Sequence, residues 1–475
     1  MMPIEVNALL AVLGEAPSQP PYARPPRRVT HLCWDSREVT DQSIFVALPG
    51  EHVDGNDFIF KALQAGSPLV IATREPSAAL RAQAGEFESH IVFTEDAHAT
   101  LATLAGWYRD RLGARVIGVT GSSGKTTTKD LIASVLSSTL VTVATEKNHN
   151  NELGVPQTVF AADDRTQALV VEMGMRGFHQ IEQLCSFVRP DIAVITNIGA
   201  SHMELLGSRR NIALAKGEMI AGLPDNGGIA ILCGDDDFTP FLIDRFCHPK
   251  GCGVITYGFS DRCTIRGTGL VLDDDACPTF CAELPDEQSF EVHLPIPGKH
   301  NARNALAAIA VAYALGIGSD RVEQAFAQGV QVTGMRMEVV HGHGGITVIN
   351  DAYNANPESM AAGLETLASI KADGRRIAVL GDMGELGADS VSMHRRIGEL
   401  VARRGVDLLV CVGRLSRNIA SAACNAGLKA DSIFQFDTTD EAIALLRSIA
   451  MEGDVLFVKA SHAMGLERIV EGLVD

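Results

Sequence analysis

Short runs in which nearly every residue is apolar recur along the chain, separated by stretches whose apolar residues return every three or four positions. The runs include Ser43-Ile-Phe-Val-Ala-Leu, Pro68-Leu-Val-Ile-Ala, Val116-Ile-Gly-Val, Ala168-Leu-Val-Val-Glu, Asp191-Ile-Ala-Val-Ile and Gly228-Ile-Ala-Ile-Leu-Cys. Later come Arg376-Ile-Ala-Val-Leu-Gly, Asp407-Leu-Leu-Val-Cys-Val and Asp454-Val-Leu-Phe-Val-Lys. A strand apolar on both faces must be covered on both, as in a parallel sheet between helical layers. Between the runs, the spacing of Leu131, Ile132, Val135 and Leu136 predicts a helix, and the alanine-rich stretch from Gly298 to Gly316 predicts another that glycine ends. The expected class is therefore α/β, with ligand groups gathered at the carboxyl ends of the strands.

The pattern divides the chain into three. Residues 1–113 read as a small α/β domain in which Pro17 to Pro26 is a proline-rich connector and Pro49-Gly-Glu-His-Val-Asp-Gly a turn. Residues 114–332 form a central parallel-sheet domain, with 250–297 read as short strands and turns in an antiparallel appendage. Residues 333–475 open with His341-Gly-His-Gly-Gly as a hairpin turn and continue as a Rossmann-like alternation of strand and helix.

Composition narrows the function. The 475 residues carry 40 basic and 58 acidic side chains, a net charge of −18, which argues against general affinity for nucleic acid or anionic membrane. No apolar run approaches the ~18 residues that a membrane span needs, and the N-terminus lacks a basic flank, so a cytoplasmic location is expected. The ten cysteines are scattered without C-x-x-C pairs and read as reduced thiols. No heptad seam points to an assembly, which leaves a monomer as the expectation.

The strongest chemical signal follows Val116. There Thr120-Gly-Ser-Ser-Gly-Lys-Thr-Thr joins a buried strand to an amphipathic helix. Gly121 and Gly124 let the backbone turn N–H groups inward, Lys125 can reach the β/γ-phosphates of a nucleotide, and the Thr126 hydroxyl can hold Mg²⁺. The usual spacing would place glycine at 119, where valine stands, with Gly118 one place earlier. Glu172 closes one strand and offers a hard oxygen ligand, and His202 could hold a divalent ion or orient a substrate group. Lys216 reads by itself as a solvated helix lysine, since a bare ammonium would repel Mg²⁺. Asn301 and Asn304, three apart on one helix face, could read an adenine edge or serve as caps and surface polarity. Asp35, Ser36 and Arg37 could grip a phosphate or uracil, or form a loop ion pair.

Together these motifs resemble the Mur ligases of peptidoglycan synthesis, over nearly the whole chain. The resemblance implies a small UDP-binding first domain, a central ATPase domain and a Rossmann-like ligase domain. It makes Gly121, Ser122, Ser123, Gly124, Lys125, Thr126 and Thr127 the ATP loop. Asp35, Ser36 and Arg37 would meet the UDP end of the substrate, and Asn150 and Asn151, in Asn148-His-Asn-Asn-Glu, the muramoyl-linked portion. Glu172 and His202 fall on metal positions, and Lys216 on a lysine that the family carries as a carbamate. Asn301 and Asn304 match an adenine-contacting pair, Arg336 an arginine that meets the nucleotide, and Asp351 a ribose-proximal aspartate. Tyr353-Asn354-Ala-Asn-Pro and Gly381-Asp-Met-Gly-Glu-Leu-Gly followed by His394 resemble the branch that adds D-alanyl-D-alanine to UDP-N-acetylmuramoyl-tripeptide. That activity would use ATP and Mg²⁺ and pass through an acyl phosphate, with Lys125, His202, Lys216 and Arg336 as catalytic groups. Three positions depart from the pattern: Asn350 where aspartate is usual, Gly384 where leucine is usual, and Lys459-Ala-Ser-His where Lys-Gly-Ser-Arg is common. A diamino-acid-adding ligase, a folyl-polyglutamate synthetase, or an ATP-driven switch without an acceptor amine would share the ATP residues.

Overall fold

The computed structural model describes residues 1–16, 27–50 and 53–474. The proline-rich connector therefore lies outside the described residues, as do Glu51 and His52 of the expected turn, whose flanks Pro49 and Asp54 form a bridge. The chain divides into two compact units, one of residues 1–117, 140–173 and 182–190, the other of residues 118–139, 174–181 and 191–475.

In the first unit, four parallel strands run in the order His31–Cys33, Ser43–Ala47, Leu69–Ala72 and His90–Phe93. Every residue of Ser43–Ala47 and Leu69–Ala72 is buried. Their unbroken apolar runs thus serve both faces of the sheet, and Phe45, Val70, Ile59 and Leu63 meet in one core. Asp96 and Ser77 accept backbone N–H groups at the starts of helices Ala97–Arg109 and Ala78–Glu86. Thr142–Ala144 and Ala168–Glu172 make a further parallel pair.

In the second unit, Ile192–Ile195, Ile229–Cys233 and Gly253–Gly258 are parallel neighbours. The expected antiparallel appendage is narrower than residues 250–297. Gly253–Gly258 continues the parallel sheet, and Ile265–Leu272 joins it through only two residue pairs, because a six-residue link is too short for a helical crossover. Only Pro278–Glu283 and Ser289–His293 add antiparallel edges. A second sheet follows in the order Glu338–His341, Thr347–Asn350, Val455–Lys459, Arg376–Gly381, Leu408–Val412 and Ile433–Phe436. It is parallel except for its first strand, which the expected hairpin at His341 turns back. This is the Rossmann-like alternation expected from the sequence. Its core joins Val348, Ile377, Val379, Val410, Leu456 and Val458 to the helices on its faces. Among the described residues no helix is long and apolar enough to cross a membrane.

Candidate active site around the phosphate loop

The loop after strand Arg115–Thr120 is shaped by close approach. A Cβ on Gly121 would lie 1.8 Å from Thr196 Oγ1, so no other residue fits. Gly124 has φ 75° and ends the loop at the start of helix Lys125–Ser137, and a Cβ there would meet Asn304 Oδ1 at 2.8 Å. The loop is held from below: Ser122 N and Ser123 N donate to Asn197 O (3.1 Å) and Asn197 Oδ1 (3.0 Å), and Thr196 Oγ1 donates to Ser123 O (2.6 Å). Two N–H groups of the loop are thus donated to Asn197, and the start of the helix is the anion-binding end. Thr126 is 1% exposed, and Thr127 is buried as well. Val119, at the displaced glycine position, is buried inside the strand, so the loop turns only from Gly121.

Two lysines converge on one carbonyl. Lys125 Nζ and Lys216 Nζ each donate to Gly121 O at 2.9 Å. Lys216 is 2% exposed, which excludes the solvated-helix reading. Burial, and then the neighbouring Lys125 charge, push its pKa far below the ordinary lysine value. The sequence does carry a signal for this burial, because Lys216 lies on the same helical stripe as Ile212, Met219 and Ile220, all buried. His202 belongs to the same group. Burial lowers its pKa to about 4, Glu385 opposes the shift, and Lys216 and Lys125 add to it. Its Nδ1 lies 2.5 Å from Glu385 Oε2.

Asn301 and Asn304 are both buried on helix Lys299–Ala314, so they are not surface polarity. Asn304 Nδ2 donates to Asn301 Oδ1 (2.9 Å) and Asn301 Nδ2 to Pro297 O (2.8 Å), which fixes both amides beside Gly124. From the second sheet come the remaining candidates of this unit. The Arg336 guanidinium carbon lies 4.2 Å from the centre of the Tyr353 ring, and Arg336 Nε is buried without a hydrogen-bond partner. An orphaned donor of that kind fits a position that meets an anionic ligand. Lys459, buried, pairs with Asp351 and donates to Asn354 O at 2.8 Å, which orders residues 351–354. Asn356 Nδ2 reaches Ser201 Oγ at 2.7 Å and Ser122 O at 3.4 Å, tying the residues after Tyr353 to the phosphate loop.

The other candidates lie in the first unit. Glu172 is 1% exposed, and its Oε1 accepts Asn150 Nδ2 at 2.7 Å. Asn151 Oδ1 accepts the N–H groups of Leu153 (3.3 Å) and Gly154 (2.9 Å), so that part of its side chain starts helix Gly154–Ala161. Asp35 and Arg37 form a forked ion pair in the exposed loop, with Arg37 Nε at 2.9 and 3.0 Å from the two carboxylate oxygens.

The three departures have local accounts. Asn350 Nδ2 donates to Glu338 Oε2 (3.1 Å), where an aspartate would face a like charge. A side chain at Gly384 would meet Ser461 only at ordinary contact distance, so nothing in the packing demands glycine. His462 stacks on Tyr353, with ring centres 5.3 Å apart. Residues to which spacing assigned no role are Asn197, Asn356, Lys459 and Glu385. Asn356 and Glu385 lie within quoted motifs, yet their partners are 155 and 183 residues away in sequence, beyond the reach of local pattern.

Among the described residues no three His, Cys, Asp or Glu side chains cluster as a metal site. The donors present, the Thr126 hydroxyl and the His202 ring beside the buried Lys216 amine, fit a hard divalent ion once an anion joins them. Mg²⁺ characteristically takes few protein carboxylates and relies on substrate phosphates.

Family models match three segments: "Mur ligase family, catalytic domain" residues 28–106, "Mur ligase middle domain" residues 119–312, and "Mur ligase, glutamate ligase domain" residues 335–462. The chain is 36% identical over 442 residues to the UDP-N-acetylmuramoyl-tripeptide–D-alanyl-D-alanine ligase of Bacillus subtilis, covering 93% of this chain and 92% of that one. Its fold is similar to a crystal structure of MurF from Acinetobacter baumannii, with TM-score 0.85, 28% identity, and coverage of 100% and 99%. It is also similar to MurF ligase from Thermotoga maritima in complex with ADP, with TM-score 0.79, 28% identity, and coverage of 94% and 97%.

Proposed function

The chain belongs to the Mur ligase family, and we propose on that premise that it is the ATP-dependent ligase joining UDP-N-acetylmuramoyl-tripeptide to D-alanyl-D-alanine. The observation that carries the chemistry is the pair Lys125 and Lys216 on the single Gly121 carbonyl. Two basic groups and a neutral imidazole gathered at a helix N-terminus form an electrostatic set that a polyphosphate completes.

A carboxylate is a poor acyl donor, so ATP first makes it one. A terminal carboxylate oxygen of the tripeptide attacks the γ-phosphorus, forming a C–O–P bond while the bond to ADP breaks. The free amine of D-alanyl-D-alanine then attacks the acyl carbon, and the tetrahedral intermediate collapses to the amide with release of phosphate and one proton. Lys125 and Arg336 stabilise charge on the moving phosphoryl group. Gly121, Ser122, Ser123, Gly124, Thr126 and Thr127 shape the phosphate cradle. Asn301 and Asn304 meet the adenine, Asp351 lies by the ribose, and Tyr353 and Asn354 belong to the ATP site.

Mg²⁺, when bound, neutralises phosphate charge. We assign it Thr126, His202, Lys216 and, by family resemblance, Glu172. Lys216 suits that role as a carbamate: burial favours its unprotonated amine, which can add CO₂ with release of one proton and so become the anion a bare ammonium is not. Asp35, Ser36, Arg37, Asn150 and Asn151 are assigned to the UDP-linked substrate. We divide the labour among residues 1–113, 114–332 and 333–475, in a cytoplasmic monomer without a nucleic-acid partner.

The test is phosphate release from ATP with UDP-N-acetylmuramoyl-tripeptide, with and without D-alanyl-D-alanine. Release that depends on the dipeptide, with equimolar amide, is expected. Release indifferent to it would contradict the assignment.

A further inference from the structure

The stretch Gly381 to Gly387 has no part in the chemistry above, yet hydrogen bonds to three other segments hold it. Met383 N donates to the buried His394 Nε2 (3.0 Å), whose Nδ1 in turn donates to Ser390 O (2.7 Å). Gly384 N donates to Ser461 Oγ (2.7 Å), Ser461 N to Asp382 O (3.0 Å), and Ser416 N to Asp382 Oδ1 (2.7 Å). The element so fixed carries Glu385. Its Oε2 lies 2.5 Å from His202 Nδ1, and its Oε1 is 3.4 Å from Arg176 Nε. Glu204 N donates to Glu385 O (3.4 Å), and Gly387 packs against Glu204 closely enough that a Cβ would touch its Cα at 3.1 Å.

Both partners of the central contact sit in left-handed backbone, His202 at φ 61° and Glu385 at φ 59°. Neither is glycine, and side chains adopt that region only where the surroundings enforce it. An ionised carboxylate only accepts hydrogen bonds, so the ring proton of a neutral His202 must lie on Nδ1. That leaves Nε2 with the one free lone pair of the ring.

We propose that Glu385 is a positioning residue for the divalent ion, fixing His202 in the tautomer whose Nε2 can ligate metal, with Arg176 holding the second carboxylate oxygen. The inference rests on the ligase reading, which places His202 on the metal. It also accounts for the Gly381 to Gly387 motif, since the loop carries a metal-orienting carboxylate from the second sheet to the segment after strand Ile192–Ile195. Histidine ligands are characteristically fixed this way through their other nitrogen, and loss of such a partner costs about 10–100-fold in metal affinity.

The test uses the full chain with ¹⁵N-labelled histidine and no metal, His202→Gln serving to assign the His202 signals. The wild type is expected to show His202 protonated on Nδ1, and Glu385→Ala to move the proton toward Nε2. A Mn²⁺ titration in the presence of ATP, read by electron paramagnetic resonance, is expected to weaken about 10–100-fold in Glu385→Ala. Glu385→Gln, whose amide oxygen still accepts, should retain most of the affinity. An unchanged tautomer in Glu385→Ala together with Mn²⁺ affinity within about twofold of wild type overturns the proposal. A wild type that binds no Mn²⁺ with ATP would count against the ligase reading instead, and the metal-free spectrum would still decide the part played by Glu385.

Discussion

Two polar loops in this chain hold their charges in opposite ways. At Asp35–Arg37 a carboxylate and a guanidinium satisfy each other, and the Arg37 hydrogen bonds hold the Asp35 pKa down at about 2. Around Gly121 two lysines share one carbonyl, one of them so buried and so close to its neighbour's charge that its pKa falls far below the ordinary lysine value. The first arrangement is finished without a ligand. The backbone of the second is locked by contacts that exclude any side chain at Gly121. Two basic side chains gathered on one carbonyl in a rigid frame mark a candidate ligand site, whereas a solvated opposite pair says little about ligands.

The sharpest way to break the contrast is Lys125→Ala. It should lower kcat/KM for ATP-dependent phosphate release by at least ~10³-fold, about 4 kcal/mol of transition-state stabilisation. Lys216→Ala should lower it by ~10²-fold or more, with partial rescue by small carboxylic acids that replace the missing anion. An unimpaired Lys216→Ala enzyme would reduce that residue to a packing role.

Smaller effects sharpen the electrostatic account. Burial lowers the His300 pKa to about 4, with Asp351 opposing the shift and Arg303 and Lys459 adding to it. Its unfolded value is about 6.5, so the unfolded chain takes up the proton first. The stability it contributes is complete above about pH 6.5 and is lost as pH falls toward 4, about 2 kcal/mol by pH 5. The difference in Tm between pH 7 and pH 5 should therefore be smaller in His300→Gln than in wild type. Asn350→Asp would set a carboxylate against Glu338 and should cost about 1–2 kcal/mol at neutral pH by thermal melting. Arg37→Ala should leave Tm unchanged, because the pair it breaks is solvated. If its KM for the UDP-linked substrate rises, the loop's role is binding alone.

How far the sequence reaches follows from the same contrast. The strands were legible because Ser43–Ala47, Leu69–Ala72 and Arg376–Gly381 are apolar on nearly every residue, a pattern that only a doubly covered sheet accommodates. The phosphate loop was legible because glycine and lysine spacing is local chemistry. Lys216 misled because exposure is the default state of a lysine, although its place on the stripe with Ile212 and Ile220 carried the contrary signal. Glu385 and His202 could not be paired from spacing, since 183 residues separate them and the contact exists only once the sheet carrying Glu385 has formed. The antiparallel expectation held for Ile265–Leu272 with Pro278–Glu283 and Ser289–His293 but not for Gly253–Gly258, because a half-exposed strand has the same alternation in either direction.

Isothermal titration of the full chain with ATP and Mg²⁺ tests most directly whether the phosphate loop and its two lysines await a polyphosphate. One-site uptake that requires Mg²⁺ and collapses in well-folded Lys125→Ala is the expected result. No uptake by folded wild type, or uptake that Lys125→Ala leaves intact, would contradict it.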